Sequence, residues 1–233
     1  MCNEHIPLSA VLFDMDGVLI DSNPVIERAW TEAAAMYGID ISNEDIVQHI
    51  HGQPGHHTIR ALFGHLPLHE QNNVQNHVIY VENTAEYAPI PGVAKLIASL
   101  HSAGVTVGIV TSGWKEKIER VAAMLDISQS VSVIVERDDV ERGKPFPDPY
   151  LVAARRLNIA ARNALVFEDS VSGVTSAVAA GAYCVGLGAA ELLKHGARLT
   201  LQDFTGVAIA ATEAGKVVMT IDSQTQLELK PCR

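Results

Sequence analysis

Aromatic side chains are scarce in this chain, at 5% of its 233 residues. A core with so few rings must be packed from Val, Ile, Leu and Ala, and hydrophobic residues reach 48%. Such a composition favours aliphatic strands covered by Ala-rich helices. The length allows one large domain, or one core with a modest insertion. Cysteine is scarce too: Cys2, Cys184 and Cys232 are odd in number, widely spaced and form no CxxC. A disulfide framework or zinc site is therefore not expected, and a reducing cytoplasm is the expected compartment. Positive charge is in deficit, with a formal net charge of −10. This argues against nucleic acid and anionic membrane as partners. A long uncharged run occurs at residues 170–190, but it holds Gly173, Gly181, Gly186, Gly188 and several serines. It reads as a helix followed by a buried strand, not a membrane span. Residues 1–9 carry Glu4 and no apolar run, so no signal peptide is expected. Internal repeats and low-complexity segments are absent from the sequence.

What is present is an alternation of strands and helices. Apolar runs at 9–13, 105–110, 131–135, 164–167 and 183–187 read as buried strands. Val93, Leu96, Ile97 and Leu100 fall on one helical face, and Gly104 follows as a stop. Residues 114–125 form another such pattern, with Ile118, Val121, Ala122 and Leu125 inward. Lys115–Glu119 and Glu116–Arg120 are spaced as exposed i,i+4 pairs on it. Asp148-Pro149 suggests an N-cap followed by proline, opening a helix to about residue 157. Helices are also expected at 171–180 and, briefly, at 190–195.

Between residues 22 and 86 there is no convincing strand. Ile26, Trp30, Ala33, Ala34 and Tyr37 share one helical face that ends at Gly38, and residues 42–45 resemble a capping box. This stretch reads as a helical insert, with Pro89 and Pro91-Gly92 marking the return. At the other end, 217–221 and 226–229 alternate around Asp222-Ser223 and suggest a small hairpin.

Continuous apolar strands joined through helices imply a parallel sheet covered on both faces. Ligands bind beyond the carboxyl ends of such strands. Those ends carry Asp14, Thr111, Glu136 and Glu168-Asp169. Asp14-Met15-Asp16-Gly17 alone is either a turn with two solvated acids or a catalytic pair on one side of the chain. Glu168-Asp169 adds a second acid pair at the same edge, and such crowding is resolved by a hard divalent cation such as Mg2+, which takes oxygen ligands. Lys144, in Gly143-Lys144-Pro145, offers a positive charge, although a lone lysine is commonly just solvated. The Thr111-Ser112-Gly113 turn between strand and helix offers hydroxyls and N–H groups to phosphate oxygens, and alone is weak evidence.

In the order DxDG, TSG, GKP and ED, these four elements resemble the motifs of the haloacid dehalogenase superfamily across nearly the whole chain. The resemblance implies an α/β fold: a Rossmann-like parallel sheet core (1–22 and 88–233) with an inserted α-helical cap (23–87). It implies that Asp14 is the nucleophile and Asp16 the general acid/base, with Thr111, Ser112, Gly113 and Lys144 at the phosphate. The metal would be Mg2+, held by Asp14, the Asp16 carbonyl and Asp169, with Glu168 acting through a bound water. Dehalogenase members lack an acid two residues after the nucleophile, so Asp16 points to phosphoryl transfer. The cap stretch 51–58 resembles that of bacterial sugar phosphatases. The β-phosphoglucomutase-like branch carries an arginine where Gly55 stands here, although Arg60 is a nearby substitute.

The expectation is thus a phosphatase of a small sugar or polyol phosphate passing through an aspartyl phosphate. The alternative is a sugar phosphomutase. Gln53 and His56 are candidate specificity residues. The cluster of His49, His51, His56 and His57 reads as a polar cap loop facing the substrate and not as a metal site. A monomer is the default expectation.

Overall fold

The computed structural model describes residues 8–212 and 216–232. Cys2 and the N-terminal segment 1–7, considered above as a leader, lie outside the described residues. In chain order the strands are β1 (Ala10–Phe13), β2 (Ile20–Asp21), β3 (Ala88–Pro89), β4 (Thr106–Val110), β5 (Val133–Val135), β6 (Ala164–Glu168), β7 (Tyr183–Leu187), β8 (Thr200–Leu201), β9 (Ala208–Ala211), β10 (Val217–Thr220) and β11 (Gln226–Leu229). The helices are α1 (Asn23–Ala35), α2 (Asn43–Asp45, running into a π turn Ile46–Ile50), α3 (Gly55–Leu62), α4 (Leu68–Thr84), α5 (Val93–Ser102), α6 (Lys115–Met124), α7 (Asp148–Arg156) and α8 (Val171–Ala179).

Six strands make a parallel sheet in the order β5-β4-β1-β6-β7-β8. Side chains alternate between its faces, and both faces are buried. Val11, Phe13, Val107, Ile109, Leu165 and Phe167 pack against α5 and α6. Leu12, Val110, Val133, Val135 and Val166 pack against α7 and α8. The few rings are concentrated: Phe13 stacks on Phe167 at 5.2 Å, and Phe204 meets both edge-on. The chain leaves β1 for β4 and β5 on one side and returns to β6, β7 and β8 on the other. β1 is therefore the strand at which the winding reverses, and the crevice beyond its carboxyl end is where such sheets bind ligands.

Helices α1, α3 and α4 enclose a separate apolar cluster around Ala29, Trp30, Phe63, Val74 and Val78. The chain enters and leaves this helical region side by side, because β2 pairs antiparallel with β3. Gly38 takes φ +66° after α1, and Ser42 and Asp45 form the expected reciprocal cap. Among the described residues no helix is long and apolar enough to cross a membrane. The uncharged run 170–190 becomes α8 and β7.

Three expectations change. The tail is not a lone hairpin, because β9 adds to it as a third antiparallel strand. Asp148 is the first helical residue and Pro147 holds the cap position, so Asp148 is free to pair with Arg142 at 3.0 Å. Lys115 and Glu119 approach to 3.9 Å as expected. Arg120 instead turns to the carbonyl oxygens of Glu82 and Asn83 at the end of α4.

Candidate active site

β1 ends at Phe13, and the next residue, Asp14, is buried with its N–H donating to the Phe167 carbonyl oxygen at 3.0 Å. A tight turn follows. Gly17, with φ +71°, closes it, and Asp16 bridges to Ile20 of β2. β4 ends at the Thr111 turn, and β6 ends at Glu168. The loop before α7 brings Lys144 to the same place. Lys144 is buried and spans two acids, 2.7 Å from Asp14 Oδ1 and 2.5 Å from Glu168 Oε1. Its Nζ also donates to the Val110 carbonyl oxygen. Burial by itself would lower this ammonium, but Asp14 and Glu168 outweigh it and hold its pKa above the usual lysine value.

The acids crowd beyond what one lysine balances. Burial pushes Asp14 well above the usual carboxylate range against the pull of Lys144, and Glu168, Asp169 and Asp16 add to the push. Burial and then Glu168 push Asp169 up to about 7. Asp14, Glu168 and Asp169 can each place an oxygen within 4.8 Å of the others. This hard-oxygen donor set, with its excess of negative charge, fits a divalent cation. Gly17 lets the turn approach Asp169 this closely: a Cβ there would lie 1.9 Å from Asp169 Oδ2.

Thr111 is buried and accepts the Gly113 N–H at 2.9 Å, so it shapes the turn. Ser112 and Gly113 line the cavity between the sheet edge and the helices above it. Glu168 is fully buried behind Lys144, with the Tyr150 hydroxyl donating to it at 2.6 Å. Gln53 lines the cavity. His56 lines an adjoining cleft with Gln75 and Arg137. The other histidines of that loop pair locally: His49 with His57 at 3.2 Å, and His51 with Glu27 at 2.8 Å.

Four residues of the site were not anticipated. Lys117 of α6 is buried, 2.6 Å from Asp16 Oδ1 and 2.5 Å from Glu82 Oε2 of α4. Ser22 donates to the same Asp16 oxygen at 2.6 Å, and Asn23 donates to Asp169 Oδ2 at 2.7 Å. A signal for Lys117 existed, since it lies one turn before Val121 on the buried face of α6. Ser22 and Asn23 lie five and six residues after the DxDG motif, at the start of α1. Glu82, the fourth, carried no signal.

The profile of the family described as haloacid dehalogenase-like hydrolase matches residues 11–187. Hexitol phosphatase A of Escherichia coli (strain K12) is 33% identical over 181 residues, covering 76% of this chain and 82% of that protein. A phosphorylated carbohydrates phosphatase of Thermotoga maritima is 32% identical, covering 75% and 82%. Among solved structures, a β-phosphoglucomutase from Clostridium difficile superposes with a TM-score of 0.69 at 25% identity, covering 84% of this chain and 91% of the other.

Proposed function

The chain belongs to the haloacid dehalogenase-like hydrolases, and from that premise we propose that it hydrolyses the phosphate monoester of a small sugar or polyol. The observation that carries this reading is the arrangement beyond β1. A buried Asp14 is bridged by Lys144 to Glu168, and a second acid, Asp16, stands two residues on. The named relatives act on hexitol phosphates and phosphorylated carbohydrates, which supports the same substrate class.

In this reading an Asp14 carboxylate oxygen attacks phosphorus in line. The Asp14–phosphorus bond forms as the bond to the sugar oxygen breaks. Asp16, held by Ser22 and Lys117, protonates the departing alkoxide. It then takes a proton from the water that attacks the aspartyl phosphate, releasing inorganic phosphate and restoring Asp14. Lys144 keeps its charge against Asp14 throughout, and the turn at Ser112 and Gly113, which lines the cavity, receives the phosphoryl oxygens, with the Ser112 hydroxyl as donor. An Asp14 oxygen, the Asp16 carbonyl and Asp169 would hold Mg2+, which supplies charge compensation to the phosphoryl group. The helices of residues 23–87 form a cap that excludes bulk water.

The test is phosphate release from a panel of sugar and polyol phosphates, with Mg2+ and with EDTA. Release is expected to need Mg2+ and to vanish in Asp14→Asn. Unchanged turnover in that variant sinks the mechanism. The likeness to a β-phosphoglucomutase keeps a second reading, sugar phosphomutase. Isomerisation of a hexose 1-phosphate that depends on added sugar bisphosphate, without net phosphate release, would select it.

A further inference from the structure

Among the described residues, three buried side-chain polar atoms have no hydrogen-bond partner, and two of them belong to the wall of one cavity: Trp114 Nε1 and Gln53 Oε1. A buried tryptophan N–H or amide oxygen ordinarily finds a partner, because leaving it unpaired costs free energy. Both residues line the cavity that also holds Asp14 and Asp16. Trp114 follows the Thr111-Ser112-Gly113 turn on the core side, and Gln53 belongs to the cap loop after Ile50. Neither is loose. The indole packs against two cations, with Lys117 Nζ 5.4 Å and the Arg137 guanidinium carbon 5.5 Å from its ring centroid. The amide of Gln53 is tethered at its nitrogen, which donates to the Gln48 carbonyl oxygen at 3.3 Å, and so presents its oxygen.

One orphan is a donor and the other an acceptor. A hydroxyl is the group that answers both, accepting from the indole and donating to the amide oxygen. The cations of the same cavity wall already have carboxylate partners: Lys144 has Asp14 and Glu168, Lys117 has Asp16 and Glu82, and Arg137 has Asp138 at 3.6 Å. The wall thus supplies hydrogen bonding for neutral oxygen and little spare charge for a second phosphate.

We propose that Trp114 and Gln53 form the leaving-group subsite and select a neutral, hydroxyl-bearing alcohol such as a polyol over an apolar alcohol or a phosphorylated one. The inference rests on the phosphatase reading above and narrows its substrate class. A site built to hydrogen-bond a hydroxyl rejects the analogue lacking it, since its own polar groups are then left unpaired.

The experiment compares sorbitol 6-phosphate, hexyl phosphate and fructose 1,6-bisphosphate as substrates for the full chain with Mg2+. The variants are Trp114→Phe, which keeps a ring and deletes the N–H, and Gln53→Met, which keeps the length and deletes the amide oxygen. The wild-type protein should prefer sorbitol 6-phosphate to hexyl phosphate in kcat/KM, and prefer it also to the bisphosphate. Each variant should lower the sorbitol-to-hexyl ratio about tenfold, roughly one lost hydrogen bond. An unchanged ratio in both variants overturns the proposal, as does equal wild-type turnover of the sorbitol and hexyl esters or a preference for the bisphosphate. If Trp114→Phe fails to fold, Gln53→Met decides alone. Absence of phosphate release from every ester strikes the phosphatase reading itself. Release without discrimination strikes only this subsite.

Discussion

A methyl group is enough to test the site at its tightest point. Gly17 and Gly38 both adopt positive φ, at +71° and +66°, so an alanine at either costs about 1–2 kcal/mol of backbone strain. Their surroundings differ. Nothing lies within 4 Å of a Cβ at Gly38, whereas a Cβ at Gly17 would meet Asp169 Oδ2 at 1.9 Å and Asn23 Nδ2 at 2.8 Å. Gly38→Ala is therefore expected to lower stability modestly and leave turnover intact. Gly17→Ala is expected to displace Asp169 and cut kcat roughly a hundredfold, the scale of a 1 Å misplacement. Kinetics and thermal melts on the pair check this, and equal kinetic losses in both variants would refute it. Asp14, Lys144 and Asp169 were legible in the sequence because each stands in a short motif just past a strand or before a helix. Lys117 was passed over although it stands one turn before Val121 on the apolar face, because its neighbours Lys115 and Glu116 make it look like one member of a solvated charge run. Its partner Glu82 is remote in sequence and lies in α4 of the helical insertion, so no local pattern links them.

At the scale of elements, helices with a sustained apolar face and strands of four or five buried residues could be read directly. Two-residue strands could not. β2 and β3 are too short to show any period, yet their pairing holds the two ends of the helical insertion together. β9 escaped for another reason: its Ala-rich sequence is mostly exposed and carries little strand signal. The contact between α4 and α6 is also invisible to periodicity, since it is made by charge. Lys117 meets Glu82, and Arg120 meets the last carbonyls of α4. Removing one partner of a buried pair leaves the other charge uncompensated and costs about 3–5 kcal/mol, while replacing both with apolar groups costs far less. Lys117→Met should thus destabilise strongly, and Glu82→Leu combined with Lys117→Met should recover much of the loss in urea unfolding. The double variant should remain slow, because Asp16 still lacks its 2.6 Å partner. If the double variant is no more stable than the single one, the two helices are not joined through this pair.

For the whole molecule the decisive quantity is where the negative charge sits. A net charge of −10 spread over the surface would be unremarkable. Here Asp14, Glu168 and Asp169 converge at the one sheet edge that the winding of the chain leaves open for a ligand. Without a cation, burial and Glu168 hold the Asp169 carboxyl up to about 7, against about 3.9 in an unfolded chain. Between those values the folded state keeps a proton that the unfolded state has lost. Stability of the metal-free protein therefore falls as pH rises through this window and stays at its lower value above it. A metal binds the deprotonated acids and competes with that proton. Mg2+ at a hundredfold excess over its dissociation constant adds about 2.7 kcal/mol, a rise of about 5–10 °C in Tm for a chain of this size. That rise is expected at pH 8 and should shrink markedly at pH 5.5. Asp169→Asn is expected to raise the Tm of the metal-free protein at pH 8 and to abolish most of the response to Mg2+. Thermal melts in EDTA and in Mg2+ at the two pH values measure all of these quantities. A shift of equal size at both pH values, or one that survives in Asp169→Asn, would show that the cation binds elsewhere.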